Sequence, residues 1–373
     1  ADAAGRRVVD FRRNNLHLMS YSTAVRARMN LESLRPHLHS RAERPDWIPY
    51  RTSYWRRDWG FCLAHRQLEG LPPGDYEVVV DSTLAPGSLT YGEFFVPGDS
   101  RDEVLISTHV CHPSLANDNC SGIAVTARLA ALLAGAQPRL SYRFLFVPGT
   151  IGAIAWLARN EARLERVRAG IVVGLLGDRG PLTYKRSRRG DCEIDRIAAQ
   201  VITGLDATSR VVDFSPYGYD ERQFCSPGFD LPVGRLTRSP NDGYAEYHTS
   251  ADNLELIDRQ SLAVSLAALL RILARLDGNR RFINRAPKGE PRLGKRGLFR
   301  DLGGRSPAEM EHAILWLLNQ SDGHHGLIDI AVASGISAQV LEEAAQSLVK
   351  VGLLEETDAA TARAGVRAIG SGN

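Results

Sequence analysis

Potential metal ligands cluster in one short stretch of the sequence. His109, Cys111, His112 and Asp118 lie within ten positions of one another. Imidazole, thiolate and carboxylate groups are the ligands that zinc binds in proteins. A single histidine in a polar loop is more often a structural residue than a ligand, but four potential ligands so close together favour a metal site. The stretch therefore predicts a site for a divalent cation, with zinc as the first choice.

The neighbouring residues predict where this cluster lies in the fold. Residues 104–106 form a short apolar run that is typical of a buried strand, and apolar residues recur at helical spacing after Gly122. In open α/β sheets, functional residues lie beyond the carboxyl ends of the strands. A strand that ends at His109 and leads through a polar loop into a helix therefore predicts a site at this edge of a sheet.

The patterns along the chain predict several domains. Residues 1–98 predict a small β-rich accessory or lid domain. Strand and helix patterns alternate over residues 99–285, which predicts an α/β domain with a mixed, mostly parallel sheet and helices on both faces. Residues 286–304 are rich in Pro and Gly and predict a linker. Three short helices over residues 305–360 predict a winged helix, and residues 361–373 would form a tail.

The loop residues also resemble a known family. His109 and Cys111, followed by the turn 118–122, are similar to the zinc aminopeptidase clan that includes aminopeptidase S and glutaminyl cyclase. In that clan a strand ends in His-x-Asp, and a metal-bridging Asp lies in an Asp-Asn-x-Ser-Gly turn. The longer stretch 107–119 resembles a bacterial branch with an extra β-rich domain and a C-terminal winged helix, often found in polysaccharide or secondary-metabolite gene clusters. The resemblance extends over nearly the whole chain.

The resemblance implies metal ligands from separate segments of the chain. The segment that begins at His248 resembles the clan's His-Thr-x-x-Asp segment, and Asp178 follows a predicted strand where the clan carries an aspartate ligand. We therefore expect His109, Asp118 and His248 as ligands, with Asp178 as a fourth ligand or as a carboxylate that supports one. Two alternates stay open. His112 could replace His109, and Cys111 could bind as a thiolate or be a small buried residue.

Two departures from the clan's pattern limit the implied site. The clan carries a Glu-Glu pair, a general base and a ligand, where this chain has Gly149 and Thr150, and Cys111 replaces the aspartate that orients the first histidine. A glycine cannot accept a proton and a threonine hydroxyl is a poor zinc ligand, so one zinc ion is expected rather than two. A carboxylate from elsewhere must then take the proton of the zinc-bound water; the candidates are Glu221 and Glu246, with Asp220 orienting.

The segment 47–61 combines aromatic residues with arginines. If it forms a lid over the metal, Arg51, Arg56 or Arg57 could hold an anionic part of a substrate, because a guanidinium binds a carboxylate or phosphate through two hydrogen bonds. An equally weighted alternative is a packed aromatic core surrounded by solvated arginines. Further candidate substrate contacts are Tyr54 and Tyr247.

Composition and charge narrow the possible partners. The formal net charge of +3 is close to neutral, and the third predicted helix carries Glu342 and Glu343 without an Arg, so nucleic acid is not expected as a partner. The sequence contains no long apolar run and no signal sequence, so we expect neither a membrane span nor secretion. Five cysteines without a CxxC pair indicate the cytoplasm. The chain begins with Ala, so a leading segment is expected to be missing; a homo-oligomer stays open.

These observations favour a metal-dependent hydrolase of an amide or peptide bond that uses a zinc-activated water. It would act on a peptide, as an aminopeptidase, or on a small molecule, as a biosynthetic amidohydrolase. The alternative is a catalytically degenerate metal-binding or scaffold protein in a biosynthetic pathway, which the missing Glu-Glu pair favours. A transcription regulator with a ligand-sensing domain is a third hypothesis, and the acidic third helix argues against it.

Overall fold

A computed structural model describes residues 1–112, 115–298 and 307–357. The end of the predicted linker and the predicted tail lie outside these residues. Among the described helices, none combines the length and the apolar content that crossing a bilayer would require.

The N-terminal region consists of short elements around a small core. The elements are β1 (Val25–Asn30), α1 (Leu31–Leu34), β2 (Leu38–His39), β3 (Phe61–Cys62), α2 (His65–Glu69) and β4 (Asp75–Val80). Strands β1 and β4 form an antiparallel ribbon, and β2 pairs with β3 in parallel. Alternate residues of β4 are buried, because Tyr76 and Val78 pack on Leu31 and Leu34.

A mixed sheet forms the centre of the molecule. Its strands are β5 (Gly92–Val96), β6 (Glu103–His109), β7 (Ser141–Val147), β8 (Val167–Val173), β9 (Thr183–Lys185), β10 (Arg210–Val212) and β11 (Val233–Thr237). Over the described residues the strand order is β10-β9-β11-β8-β6-β7-β5. The four central strands β11, β8, β6 and β7 run parallel, whereas β5 and β9 pair antiparallel with their central neighbours.

Helices cover both faces of this sheet. They are α3 (Gly122–Ala134), α4 (Ile151–Asn160), α5 (Glu193–Leu205), α6 (Glu221–Phe224) and α7 (Arg259–Gly278). The side chains of Val104 and Ile106 belong to the core with α3, α5 and α7, whereas Leu105 belongs to the opposite core with α4 and α6. Successive strand residues thus face opposite layers, and every residue of β6 is buried. The predicted α/β class is confirmed.

The C-terminal region forms a winged helix, as predicted. Its elements are β12 (Arg281–Asn284), α8 (Pro307–Gln320), β13 (Asp322–Gly326), α9 (Leu327–Ser334), α10 (Ala338–Lys350) and β14 (Leu354–Thr357). Strand β12 lies between β13 and β14, antiparallel to both. Strand β5 of the central sheet precedes residue 99, and strand β12 of the winged-helix sheet precedes residue 286, so both sheets extend across the predicted domain boundaries. These boundaries stay a proposal.

A buried carboxylate joins the central sheet to the winged helix. Glu193 at the start of α5 accepts hydrogen bonds from Arg168 of β8, at 2.9 and 2.7 Å, and from Arg281 of β12, at 2.6 Å. The Asn279 side chain donates to the same carboxylate and accepts the Ile328 N–H of α9 at 2.8 Å. The guanidinium groups hold the pKa of Glu193 below its usual range although burial alone would raise it.

Removing this carboxylate will destabilise the protein. The Arg168 side chain is only 1% exposed, so Glu193→Ala leaves a buried guanidinium without its main partner. Breaking a buried ion pair from one side costs about 3–5 kcal/mol. We expect a clearly lower thermal midpoint for Glu193→Ala by circular dichroism and little change for Glu161→Ala, where the glutamate is exposed. Equal midpoints for the two variants would contradict the structural role of Glu193.

Candidate metal centre

The carboxylate of Asp118 lies among three imidazoles. Its Oδ1 is 2.8 Å from Nε2 of His109, which ends β6. Its Oδ2 is 3.3 Å from Nδ1 of His112 and 3.1 Å from Nε2 of His248, which lies in the loop after β11. The parallel strands β6 and β11 bring their carboxyl ends to the same edge of the sheet, which explains why residues so far apart in sequence meet here.

Two groups of potential ligands share His112. In the first group, the donor atoms of His112, Asp118 and His248 all lie within 4.8 Å of one another. A tetrahedron with metal–ligand bonds of about 2.0 Å places its ligand atoms about 3.3 Å apart, so the separations of 3.1 and 3.3 Å at Oδ2 suit one zinc ion. The second group consists of His109, Cys111 and His112.

The Nε2 atom of His248 supports the first group. This atom is buried and makes no hydrogen bond, although it lies 3.1 Å from the Asp118 carboxylate. Buried polar atoms normally have a partner. A buried ring nitrogen without a partner, close to a carboxylate, can bind a metal ion, so these residues fit a zinc ion.

Asp252 fixes the loop that carries Asp118. Its carboxylate accepts the backbone N–H groups of Asn117, at 2.5 Å, and of Asp118, at 3.0 Å. It also accepts the Tyr244 hydroxyl at 3.0 Å. Asp252 lies four residues after His248, so one carboxylate ties together the two loops that supply the ligands.

The predicted ligand Asp178 lies outside both groups. Its Oδ2 accepts the side-chain amide of Asn117 at 2.8 Å, and its Oδ1 accepts the Ser239 hydroxyl at 2.7 Å. The Gly180 N–H also donates to Oδ1, at 2.6 Å. These donors hold the carboxylate away from the donor cluster. Asp178 is therefore hydrogen-bonded to the residue next to Asp118, and its expected role, as a ligand or as a supporting carboxylate, stays a prediction.

The neighbouring histidines keep Asp118 charged. Burial alone would raise the pKa of its carboxyl, but the nearby His109, His112 and His248 hold it well below its usual range. Burial lowers the pKa of His109, against the effect of the Asp118 charge. Burial alone would lower the pKa of His112, but its contacts with Asp118 and Cys111 raise it to about 10, so the charges of Asp118 and His112 balance each other where no metal ion is bound.

The candidate bases have different surroundings. Glu221 is fully buried, forms an ion pair with Lys185 and accepts the Tyr219 N–H, so it has no free oxygen for proton transfer. Glu246 lines a separate cavity of about 600 Å³ with Trp47 and Arg179. Neither glutamate belongs to a donor group of the described residues.

Asp220, predicted to orient the base, has one carboxylate oxygen without a hydrogen-bond partner. Its Oδ1 accepts the Thr150 N–H at 2.6 Å, whereas its Oδ2 is buried without a hydrogen-bond partner. Burial raises the pKa of Asp220 to about 7. A carboxyl that titrates near neutral pH has the pKa that suits a general base.

The N-terminal region contacts the cluster through Tyr50, a residue that sequence reasoning missed. The Tyr50 N–H donates to the His248 carbonyl at 2.8 Å, and the Tyr50 ring lies 5.0 Å from His112 and 5.1 Å from His248. Tyr50 lies within the aromatic segment predicted as a lid, and that composition was the only signal for it. On the loop side, Tyr247 stacks on His248 with 3.9 Å between ring centroids.

The predicted substrate contacts of segment 47–61 face solvent. Arg51 and Arg57 are exposed, and Arg56 forms an ion pair with Asp58 at 2.8 Å. Tyr54 is half exposed and its ring lies 4.9 Å from that of Tyr21. None of these arginines contacts the donor cluster, so a role in holding substrate stays a prediction.

Tyr219 is the second residue that sequence reasoning missed. Its ring lies 4.0 Å from the His109 ring, and its hydroxyl lies 2.8 Å from the Cys111 sulfur. Burial raises the pKa of Tyr219, and the nearby Cys111 and acidic residues raise it further. From the sequence, Gly149 suggested that the general base implied by the resemblance is absent. The sequence did not indicate that Tyr219 lies next to this glycine.

The fold and this site define an aminopeptidase-like protein with a C-terminal winged helix. The chain belongs to the family described as a domain of unknown function, DUF4910, whose model matches residues 5–279. Residues 280–356 match a winged helix-turn-helix family. The resemblance to the zinc aminopeptidase clan, and to its branch with a winged helix, is thus confirmed.

Individual relatives agree with this assignment. A Clostridium acetobutylicum protein, provisionally named a polysaccharide biosynthesis protein with aminopeptidase-like domain, is 46% identical over 355 residues, which are 95% of this chain and 82% of the relative. A crystal structure of a provisionally named peptidase from Clostridium acetobutylicum has a TM-score of 0.80 and 44% identity, and covers 95% of this chain and 81% of that chain. The zinc aminopeptidase BSAP of Bacillus subtilis shares the fold, with a TM-score of 0.50 and 15% identity over 64% of this chain and 63% of its own.

The buried carboxyl of Asp220 will make stability depend on pH. Its pKa is raised from 3.8 to about 7, so the folded state holds this proton more tightly than the unfolded state does. The free energy of unfolding should therefore fall as the pH rises from about 4 to about 7, by at most about 1.4 kcal/mol per pH unit. Asp220→Asn should remove this part of the decrease, measured by urea unfolding with a chelator present.

The exposed Asp213 provides the control for this experiment. Asp213→Asn should keep the pH dependence of the wild-type protein. An unchanged pH profile for Asp220→Asn would show that its carboxyl is not desolvated in solution.

Proposed function

We propose that this protein is a metal-dependent hydrolase that cleaves an amide or peptide bond with a zinc-activated water. The group of His112, Asp118 and His248, with donor atoms within 4.8 Å of one another, carries the proposal. Three protein ligands and one open position are typical of catalytic zinc sites. The aminopeptidase-like fold supports the same reaction class.

The proposed ligand set differs from the first choice made from sequence. His112, the alternate, takes the place of His109, because its Nδ1 approaches the same oxygen of Asp118 that His248 approaches. His109 bonds to the other oxygen and would orient Asp118. Asp178 is bonded to Asn117 and Ser239. The second donor group, of His109, Cys111 and His112, shares His112 with the first, which supports one zinc ion rather than two.

The chain's own residues would divide the work as follows. Zinc lowers the pKa of a bound water to about 7 and polarises a carbonyl oxygen. Asp220, whose Oδ2 has no partner, accepts the proton of the attacking water, either directly or through one further water. The rings of Tyr50 and Tyr247 pack against the histidine ligands and exclude bulk water from that side.

The name of the Clostridium acetobutylicum relative supports a biosynthetic substrate. That name links the relative to polysaccharide biosynthesis, so the proposed substrate of this chain is an amide of a biosynthetic small molecule rather than proteins in general. The proposed location is the cytoplasm, since all five cysteines are free, as in reducing compartments. Arg51, Arg56 and Tyr54 stay candidates for binding the part of the substrate that is distant from the metal.

A catalytically degenerate metal-binding or scaffold protein is the second candidate. Gly149 and Thr150 in place of the clan's acidic pair favour it. The two hypotheses differ in whether a bound metal turns over a substrate, so metal content and amide hydrolysis must be measured on the same preparation.

Zinc uptake should depend on Asp118 and not on Cys111. We expect about one equivalent of zinc per wild-type chain after dialysis, measured by mass spectrometry of the metal. Asp118→Ala removes the carboxylate that both proposed histidine ligands approach, and should reduce the zinc content to well below one equivalent.

Cys111→Ser is the matched control. Cys111 bonds to Tyr219 and is absent from the group of His112, Asp118 and His248, so the serine variant should keep most of its zinc. Loss of zinc from Cys111→Ser together with retention by Asp118→Ala would show that the ligand set is wrong.

The winged helix is proposed not to bind nucleic acid. Residues 307–357 contain eight Asp or Glu residues, one Lys and no Arg. Glu342 of α10 is bonded to Arg280 at 2.5 Å, so this helix is held against the rest of the chain. Since phosphate contacts by Lys and Arg supply most non-specific affinity, we expect negligible binding to duplex DNA at physiological salt in a fluorescence anisotropy titration. Salt-dependent micromolar binding would contradict this.

A further inference from the structure

The side-chain space of Gly149 is already occupied. A Cβ atom built on Gly149 would lie 1.9 Å from the Tyr219 hydroxyl oxygen and 2.5 Å from the carbon that bears it. No side chain fits at position 149 while Tyr219 keeps this position. The resemblance to the clan implies that position 149 corresponds to its general base, so the Tyr219 hydroxyl occupies the space where that side chain would begin.

Asp220, which follows Tyr219, contacts Thr150, which follows Gly149. The Asp220 carboxylate accepts the Thr150 N–H at 2.6 Å, directly after the contact between Tyr219 and Gly149. Two adjacent residues after β10 thus supply a phenol and a carboxyl to the turn after β7. The acidic pair that the clan carries within this turn is absent, and polar groups from another loop take its place.

The loop that carries Tyr219 is held firmly in this position. Glu221 accepts the Tyr219 N–H at 3.1 and 3.2 Å and forms an ion pair with Lys185. Lys185 also donates to the carbonyl oxygens of Ser215, at 3.1 Å, and Tyr217, at 2.8 Å. This explains why Glu221, a candidate base from sequence, is fully buried: it fixes the backbone of Tyr219.

The Tyr219 side chain lies against two residues that adjoin the proposed metal ligands. It contacts the sulfur of Cys111, the neighbour of His112, at 2.8 Å, and its ring packs on His109, which bonds to Asp118. A phenol has an ordinary pKa of about 10 and keeps its proton at neutral pH. It can therefore donate a hydrogen bond, but it cannot act as the base that a glutamate would be.

We propose that Tyr219 is the hydrogen-bond donor of this centre and stabilises the substrate oxygen that gains negative charge when the carbonyl carbon is attacked. The proposal rests on the proposed hydrolase function, and it assigns opposite tasks to adjacent residues. Tyr219 donates to the developing charge, and Asp220 accepts the proton of the attacking water. Donors placed at a developing oxyanion are among the largest contributions to catalysis.

The experiment uses the cobalt-loaded chain of residues 1–373 and acetohydroxamic acid as the probe. This small molecule binds divalent cations through two oxygens and presents a negatively charged oxygen, as an attacked amide does. Binding is followed through the visible spectrum of cobalt, and cobalt content is measured separately. Tyr219→Phe removes only the hydroxyl and keeps the ring that packs on His109. It should bind cobalt as the wild type does but acetohydroxamate about 10- to 100-fold more weakly.

Tyr217→Phe is the matched control, because Tyr217 lies on the same loop and its side chain is 67% exposed. It should bind both cobalt and acetohydroxamate as the wild type does. Equal acetohydroxamate affinities for Tyr219→Phe and wild type, with cobalt retained, would overturn the assignment of Tyr219 alone. A cobalt-loaded wild type that does not bind acetohydroxamate would overturn it too. A wild type that binds no cobalt would overturn the proposed function together with this inference.

Discussion

The hydrogen bonds from the backbone at Asn117 and Asp118 to the buried carboxylate of Asp252 hold the site together. Asp118 can approach imidazoles from two loops only if its own loop is fixed relative to both. Asp252, in the His248 loop, fixes the Asp118 loop through its backbone, and Asp178 accepts a hydrogen bond from the side-chain amide of Asn117. The parallel sheet beneath brings the strand ends to one edge. The arrangement of the donors thus depends on buried acids that do not themselves belong to the donor groups.

The fold followed from local patterns for a simple reason. Strand β6 and helix α3 have periodicities that their own residues specify, and Leu105 and Ile106 alternate between two cores as a fully buried strand requires. The winged helix also has short helices with clear apolar faces. The outer strands of the central sheet were harder to predict from the sequence, because β5, β9 and β10 form through pairing with strands that are distant in sequence.

The site was predictable only in part. His109, Asp118 and His248 do come together, since motif residues at strand ends meet at one edge of a sheet. The choice between His109 and His112 depends on which Asp118 oxygen each ring approaches, and spacing along the chain does not specify this. Glu221 forms an ion pair with Lys185 of β9, a residue distant in sequence, so its position next to Asp220 did not indicate that it is a structural residue. Tyr219 reaches the turn after β7 from a loop about 70 residues later, a contact that only tertiary structure reveals.

The overlap between position 149 and the Tyr219 phenol also restricts how such a chain can evolve. Replacing Gly149 by glutamate would place its Cβ atom 1.9 Å from the Tyr219 hydroxyl oxygen, so an acid can enter this position only if the Tyr219 side chain moves. The loop that carries Tyr219, which Lys185 holds in place, would have to shift with that side chain. Protein engineers who aim to rebuild a two-metal peptidase on this scaffold would therefore have to redesign the loop before the turn.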